Sequence, residues 1–398
     1  MSKHDKKEER NLLITSVLIT SIILFLALLS PILLTKSEAL GIVPSNISDV
    51  YSGVNIMTPF VAIASVVVTF LAFYVQYKAN VKLKEDAKRQ ELDLKRQQLE
   101  RQFYEMLKIH KDNVNEIKWS YWCLKESSSR HIPHDIENYH YPSWYSLKTE
   151  HGRNVFDCYK YEIHFIYNVL IGCYGLFEDK CRNKKIPCKP LNRNEMFKLA
   201  YGIFYYGKDF ITNERNRLDF KSLDRFIKDT QIEFLQKLND IHLNIDTTKN
   251  ILGRNDYDLL NGHDCLNGHF YELNHYYRHL YQMVKCVANY DDEIVSYEEK
   301  RKYLRMLRAQ LTNNEQLMLF YNWKSGYGKD WEYLNGNHFF TDYRMIHNID
   351  YHDVIFIPEK HEDLCPSILI AMMKKCNPDI KIEHNKKSDH LFEFQNDI

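Results

Sequence analysis

The chain has 398 residues, and its 53 basic residues balance its 53 acidic residues, which removes the usual electrostatic case for nucleic acid as the main ligand. Nine cysteines without a Cys-x-x-Cys pair are typical of reduced thiols rather than of a disulfide framework. With only 13 Gly and 10 Pro, the composition favours a mainly α-helical protein.

Two long apolar runs dominate the amino-terminal part of the chain. They cover residues 12–34 and 56–77, and neither contains Asp, Glu, Lys or Arg. At about 1.5 Å of rise per residue, either run could cross a hydrocarbon core of roughly 30 Å as a helix. Only a helix satisfies its own backbone groups in lipid. We therefore predict a transmembrane hairpin of two helices within residues 1–78.

Basic residues flank this hairpin on one side of the predicted membrane. Several precede the first run and follow the second, whereas only Lys36 lies in the connection. The positive-inside rule then places both termini in the cytoplasm and residues 35–55 outside. A cleaved signal peptide is the alternative for the first run, although that run is longer than the roughly 7–15 residues of a signal core.

The second run carries a stripe of small or polar residues at spacings of three and four. This small-residue stripe consists of Ala62, Ser65, Thr69, Ala72 and Gln76. Small residues let membrane helices approach closely, and hydroxyl groups form hydrogen bonds across the contact. The stripe predicts packing against the first helix or, alternatively, a contact between subunits or the lining of a narrow pore.

Residues 79–120 predict a long juxtamembrane helix that continues from the second run. The segment contains no Gly or Pro, and charges of both signs alternate along its first half. A coiled-coil-like apolar seam strengthens toward its end and consists of Leu92, Leu99, Phe103, Met106 and Ile109. We expect the late part to dock or to self-associate, and the basic start to touch anionic lipid.

Residues 121–385 predict an all-α cytosolic domain, followed by a flexible tail at 386–398. Stretches rich in polar residues, Gly or Pro indicate loops at 127–153 and 253–268. Apolar periodicity predicts helices at 156–175, 194–206, from 222 onward, 270–287, 297–311, 313–323, 339–348 and 367–376, with a short β-like run at 354–357. Two capping boxes mark helix starts at Ser296 and Thr312.

The sequence lacks recognisable motifs for metal, nucleotide or nucleophilic chemistry. A group of potential ligands, His263, Cys265, His269, His275 and His279, matches no zinc spacing, so we predict no metal site. We find no phosphate-binding glycine loop, no Arg–His motif of the helical ribonucleases and no Ser or Cys nucleophile motif. We therefore expect no cofactor and assign no catalytic residue.

Two helical segments carry polar residues on one side. The first set is His275, Arg278, His279 and Gln282, and the second is Arg305, Arg308 and Gln310. These side chains could tie helix ends together and cap buried carbonyl groups. Alternatively, they could form a face that recognises a partner or a ligand.

Three blocks rich in aromatic, Arg and His residues follow one another along the chain. They cover residues 102–110, 269–281 and 303–322, and the third contains Arg-Ala-Gln-Leu at 308–311 and Phe-Tyr-Asn at 320–322. With these blocks, the chain up to about residue 350 resembles the phage abortive infection protein family, the AbiC-like group. The resemblance implies antiphage defence, in which an infected bacterial cell stops growing before virus is released. It implies no settled chemistry.

Together with the predicted hairpin, the resemblance implies a membrane-embedded effector in the bacterial inner membrane. Such a protein would assemble as a homo-oligomer and disrupt the lipid bilayer when its cytosolic domain senses a phage-derived trigger or a neighbouring defence protein. Because the spans carry no charge, a pore would be narrow and lined with hydroxyl groups. The alternatives are an anchored enzyme with a cryptic site, such as a nuclease or nucleotide hydrolase, and a scaffold that recruits another defence component.

Overall fold

The computed structural model describes scattered positions between 14 and 29 and between 210 and 229, together with the ranges 47–124, 145–207, 268–332, 336–355, 365–379 and 390–393. The chain divides into two compact units, Met1–Lys95 and Arg96–Ile398. Helices predominate, as the composition predicts.

One helix, α1 (Ile47–Glu116), contains the second apolar run and most of the juxtamembrane segment. Its apolar side chains in the first unit are largely exposed, including Val66 at 69%, Phe70 at 69% and Phe73 at 66%. Among the described residues, this is the one helix long and apolar enough to cross a membrane. The first apolar run lies mostly outside the described residues, so the hairpin is not shown.

The carboxyl-terminal part of α1 belongs to the second unit. There Leu99 and Phe103 are buried, as the predicted seam requires. Ile109, however, is 49% exposed, and the neighbouring His110 is buried in its place. The covered face therefore continues through a polar side chain.

A two-stranded antiparallel sheet corrects the prediction of an all-α body. Strands β1 (Lys118–Leu124) and β2 (Tyr145–His151) pair along their whole length, where a helix end and part of a loop were predicted. Trp119 is buried and Ser120 is exposed, the alternation of a strand with one covered face. Ser120 also contacts Thr149 across the pair, with 3.0 Å between the hydroxyl oxygens. In a segment of seven residues, apolar periodicity does not distinguish a strand from the end of a helix.

Two helices that follow the sheet supply much of the core. Helix α2 (Asn154–Asn183) runs well past the predicted end near Gly172 and Gly175. A Cβ atom at either glycine would meet nothing within 4 Å, so both sit on an open side of the helix. Burial of side chains beyond them, such as Phe177, offsets the low helix propensity of glycine. Helix α3 (Arg193–Tyr206) matches its predicted range.

The second half of the body is a series of helices: α4 (Phe270–Ala288), α5 (Tyr297–Arg308), α6 (Asn313–Ser325), α7 (Phe339–Tyr343) and α8 (Cys365–Cys376). Both predicted capping boxes are present, at Ser296 and at Thr312. Eight consecutive side chains of α6, residues 315–322, are buried, which confirms the prediction of a core helix.

The carboxyl-terminal region differs from the prediction in three places. Helix α7 stops at Tyr343 because Arg344 adopts a left-handed backbone with φ 59°. Val354 follows a 3₁₀ turn rather than opening a strand. Within the predicted flexible tail, Leu391 and Phe392 are 6% and 0% exposed. Apolar burial thus fixes this part of the tail against the body.

Candidate functional site

All five residues of the small-residue stripe are exposed. The Ser65 hydroxyl donates a hydrogen bond to the Val61 carbonyl (2.8 Å), and the Thr69 hydroxyl donates to the Ser65 carbonyl (2.8 Å). The more covered face of this part of α1 consists of Ala64, Val67 and Leu71. At about 100° per residue, that face lies roughly 140° around the helix from the stripe. The stripe is thus turned away from the covered face, and the two hydroxyl groups are satisfied within α1.

His110 is a buried polar residue that the sequence analysis did not select. It is 3% exposed, and among the described residues neither ring nitrogen has a hydrogen-bond partner. Its ring centroid lies 5.4 Å from that of Tyr276 and 6.1 Å from that of His279, both on α4. A predicted site residue, His279, therefore faces a buried imidazole on α1. We call His110 and His279 the histidine pair.

The surroundings of the histidine pair disfavour protonation. Burial lowers the pKa of His110 to about 4, and His279 and Arg153 act in the same direction. Burial also lowers the pKa of His279, with a smaller effect from His275. A neutral imidazole has one donor and one acceptor nitrogen, so the pair can still donate and accept hydrogen bonds.

Glu315 is connected to the histidine pair through Tyr276, and both of its carboxylate oxygens already accept hydrogen bonds. Its Oε1 accepts a hydrogen bond from the Tyr276 hydroxyl (3.3 Å), and its Oε2 accepts one from the Thr312 amide (2.7 Å). Arg153 Nε lies 4.0 Å from the same Oε2. Burial raises the pKa of Glu315, while these contacts oppose that rise. The carboxylate caps α6 and holds Tyr276 against His110.

The residues of the predicted polar face have different surroundings in the structure. His275, Arg278 and Gln282 are exposed on α4, whereas His279 is half-buried. Gln310 contributes its backbone carbonyl, which accepts a hydrogen bond from Arg153 Nη2 at 2.7 Å. The remaining predicted residues, Arg305 and Arg308, belong to a separate group of charged side chains.

This second group is the arginine cluster, defined as Arg301, Arg305, Arg308 and Arg344. The first three are four and three residues apart and share one face of α5. Arg308 Nη1 donates a hydrogen bond to the Arg344 carbonyl (3.0 Å). Arg301 and Arg344 are 8% and 2% exposed. Burial lowers the pKa of Arg308 to about 10, and the charges of the three other arginines act in the same direction, opposed by Glu393.

Residues 390–393 carry that opposing carboxylate, and Asn348 Nδ2 donates a hydrogen bond to Glu393 Oε2. The Glu393 amide donates a hydrogen bond to the His347 carbonyl (2.8 Å), and His347 Nδ1 lies 3.2 Å from the Leu391 carbonyl. The sequence analysis missed Glu393 because it lies within the predicted flexible tail. It missed Arg344 because only the fold brings this residue to α5.

Two other buried polar groups have structural roles. Glu332 is 1% exposed and accepts hydrogen bonds from the Phe340 and Thr341 amides (3.0 and 3.2 Å) and from the Thr341 hydroxyl (2.6 Å). Glu162 lies 2.9 Å from His269 Nε2. The first group holds the start of α7, and the second joins α2 to the residue before α4.

Within the described residues, no group of three His, Cys, Asp or Glu side chains is arranged to hold a metal ion. Of the potential ligands named from the sequence, His269 contacts Glu162, His275 is exposed and His279 faces His110. His263 and Cys265 lie outside the described residues. The cysteines at 158, 173, 181, 188, 286 and 376 form no disulfide bond.

Taken together, these features define a mainly α-helical protein whose described residues include one candidate membrane-spanning helix and a helical body with two unusual polar groups. Residues 268–354 match the model of a family described as "Putative phage abortive infection protein". The chain is therefore AbiC-like over this segment, which confirms the resemblance and supports a role in phage defence by abortive infection. No curated protein and no solved structure matches the chain. The matched segment contains His279 and the whole arginine cluster.

Proposed function

We propose that this chain is an abortive infection effector that acts at the bacterial inner membrane. In this proposal, the two apolar runs form a hairpin with both termini in the cytoplasm. The chain assembles as a homo-oligomer, and the assembly disrupts the lipid bilayer when the body after Arg96 senses infection through a phage-derived trigger or a neighbouring defence protein. The observation that carries the proposal is the band of exposed apolar side chains on α1.

The exposed band is costly in water and favourable in lipid. Val66, Phe70, Phe73 and Tyr77 are each at least 66% exposed. Leaving a side chain such as Val or Phe in water rather than burying it costs roughly 1.5–3 kcal/mol. As a helix, residues 56–77 would be about 33 Å long, enough to cross a hydrocarbon core. A bilayer would remove the cost of the whole band.

Helix α1 also supports a link between sensing and the membrane. It runs without a break from Ile47 to Glu116, and its end is buried in the second unit at Leu99, Phe103 and His110. A continuous helix transmits rotation or translation along its axis. A rearrangement of the body around His110 would therefore be passed to the segment at 56–77.

The small-residue stripe supplies the test. It lies opposite the covered face of α1, where a second copy could approach closely. Ala72→Leu introduces bulk on the stripe, whereas Val66→Leu introduces bulk on an exposed face about 100° away. During phage infection, cells with the wild-type chain or Val66→Leu should lose membrane potential, measured with a potential-sensitive dye. Cells with Ala72→Leu should keep it and release phage.

The proposal fails if infected wild-type cells stop growing while their membranes stay polarised. It also fails if Ala72→Leu and Val66→Leu behave alike despite equal amounts of protein in the membrane fraction. Crosslinking of cysteines introduced on the stripe, compared before and after infection, would report homo-oligomer formation directly.

A second candidate function is an anchored enzyme with a cryptic site, for example a nuclease or nucleotide hydrolase. The observation that favours it is the histidine pair, because imidazole is the side chain that acts most often in acid–base catalysis and both ring nitrogens of His110 lack a partner among the described residues. Expression of the chain from Arg89 onward separates the two functions. Toxicity that persists without the spans and disappears with His110→Gln favours the enzyme, and loss of toxicity on removal of the spans favours the membrane effector. A scaffold that recruits another defence component would be toxic only when that component is present, with or without the spans.

A further inference from the structure

The segment of α1 that follows the apolar band is exposed on every side. All residues from 81 to 90 are exposed, so no other described part of the chain covers them. Among the described residues, neither Lys82 nor Lys84 lies within 4.0 Å of a carboxylate, whereas Lys95 further along α1 forms an ion pair with Glu91 (2.7 Å). We call Lys82 and Lys84 the lysine pair. Both of its charges are open to an anion from outside the chain.

Aromatic side chains mark where this segment would leave the membrane. Tyr74 and Tyr77 are 41% and 69% exposed at the end of the apolar band. Tyrosine is typical of the membrane–water interface because its ring is apolar and its hydroxyl is polar. At about 1.5 Å of rise per residue, Lys82 and Lys84 begin about 7.5 and 10.5 Å beyond Tyr77. The lysine pair therefore lies within about one Debye length of the lipid headgroups at physiological salt.

The direction of α1 brings the charges of the lysine pair closer to the apolar band. Every Cα–Cβ bond of an α-helix tilts toward the amino terminus of the helix, and the apolar band lies on that side. Val81 and Leu83, which are 40% and 64% exposed, alternate with the lysines and gain by leaving water. At about 100° per residue, Lys82 and Lys84 lie about 200° apart, so they reach lipids on nearly opposite sides of the helix.

We propose that the lysine pair binds the headgroups of anionic phospholipids, so that α1 selects these lipids over zwitterionic ones. This site rests on the proposed function, because it requires the span at 56–77. A lysine ammonium acts as a compact charge on a flexible stem, which suits binding to mobile headgroups. The simpler role for these charges is to orient the span by the positive-inside rule. That role requires no preference among lipids once the span is in place.

The next cations along α1 have different surroundings. Lys88 and Arg89 begin about 16.5 and 18 Å beyond Tyr77, and the acidic residues Glu85 and Asp86 come before them. At that distance, the salt of the medium largely screens their attraction to the bilayer. Lys88 and Arg89 therefore provide a matched control, because they carry the same total charge as the lysine pair.

The test is a fluorescence measurement on the full chain reconstituted in phosphatidylcholine vesicles. Phe73→Trp places a reporter about 6 Å inside the end of the apolar band, and the chain without this change gives the background of the five native tryptophans. A fixed fraction of the lipid carries brominated acyl chains, as phosphatidylglycerol in one set of vesicles and as phosphatidylcholine in the other. Bromine quenches a nearby tryptophan, so the ratio of quenching measures the lipid preference at α1.

We expect a preference of about fivefold or more for phosphatidylglycerol, the effect of one basic residue near an anionic surface. The double variant Lys82→Gln and Lys84→Gln should reduce this preference to less than about twofold. The double variant Lys88→Gln and Arg89→Gln removes the same charge farther from the bilayer and should keep most of the preference. Salt at about 1 M, where the Debye length is about 3 Å, should weaken the preference of the reporter chain.

Equal quenching by the two brominated lipids would overturn the proposal while leaving the membrane span intact. Equal effects of the two double variants would overturn the assignment to the lysine pair. Inorganic phosphate at constant ionic strength should leave the preference unchanged, and its loss would show that the lysines bind a free anion instead of lipid. Absence of quenching by either lipid would contradict the span itself and overturn both this proposal and the proposed function.

Discussion

Glu332 and His110 are both buried polar residues of the same body, but their surroundings differ. Glu332 accepts hydrogen bonds from two amides and a hydroxyl, whereas neither ring nitrogen of His110 has a partner among the described residues. A satisfied polar group helps to specify one arrangement of the chain, and an unsatisfied one costs about 1–3 kcal/mol. The surroundings of Glu332 therefore stabilise the fold, whereas the unsatisfied His110 lowers its stability. A buried polar group that lowers stability is typical of functional sites.

The largest effect should come from Glu332→Ala. This variant leaves the Phe340 and Thr341 amides buried without an acceptor, so we expect a loss of about 4 kcal/mol in the free energy of unfolding. Denaturant unfolding of the full chain in detergent, followed by tryptophan fluorescence, measures this loss. Glu332→Gln, which keeps one acceptor oxygen, should lose less. Equal stability of Glu332→Ala and the wild type would remove the contrast with His110.

The second effect depends on pH and concerns His110→Leu. The folded chain protonates His110 only near pH 4, whereas an unfolded histidine titrates near 6.5. Between these values the unfolded state binds more protons, so wild-type stability falls as the pH falls. His110→Leu lacks this penalty, and its stability relative to the wild type should rise by about 3 kcal/mol between pH 7 and pH 4.

Unfolding midpoints of both chains across this pH range measure the difference. His352→Leu, at an exposed histidine, serves as the control and should follow the wild type. If His110→Leu has the same pH dependence as the wild type, His110 is solvated in the folded chain and the comparison with Glu332 loses its basis.

The smallest effect concerns the capping box next to the histidine pair. Thr312→Ala removes the side-chain cap of α6 and should cost about 1 kcal/mol. Ser296→Ala, in the capping box of α5, should cost a similar amount and is the matched control. A clearly larger loss at Thr312, measured by the same unfolding experiment, would show that the cap also positions Glu315 under Tyr276.

Much of the helical part of the fold was predictable because its signals are local. The ranges of α3 and α4, both capping boxes and the buried α6 were predicted from periodicity and from residues three positions apart. The β-hairpin was missed because pairing of β1 with β2 joins segments separated by about twenty residues. The end of α7 was missed because a left-handed Arg344 has no sequence signature.

The candidate site was predicted only in part. Arg305, Arg308 and His279 were selected from helical faces, but their neighbours Arg344, Glu393 and His110 were not. His110 left a signal, since it continues the spacing of Leu99, Phe103 and Met106 along the covered face of α1. A histidine is not readily assigned to a core position from sequence, because most buried polar groups need a hydrogen-bond partner that the sequence does not reveal.

The sequence by itself determined the apolar run at 56–77, the long helix that follows it and the resemblance of residues 268–354 to abortive infection proteins. These are properties of composition and of neighbours along one helix, which the chain carries without reference to its fold. Tertiary structure alone decided that His110 faces His279, and that Arg344 and Glu393 join the end of α5. Both groups combine residues from distant parts of the chain. Their burial and mutual charge, the quantities that shift the pKa values, exist only after folding.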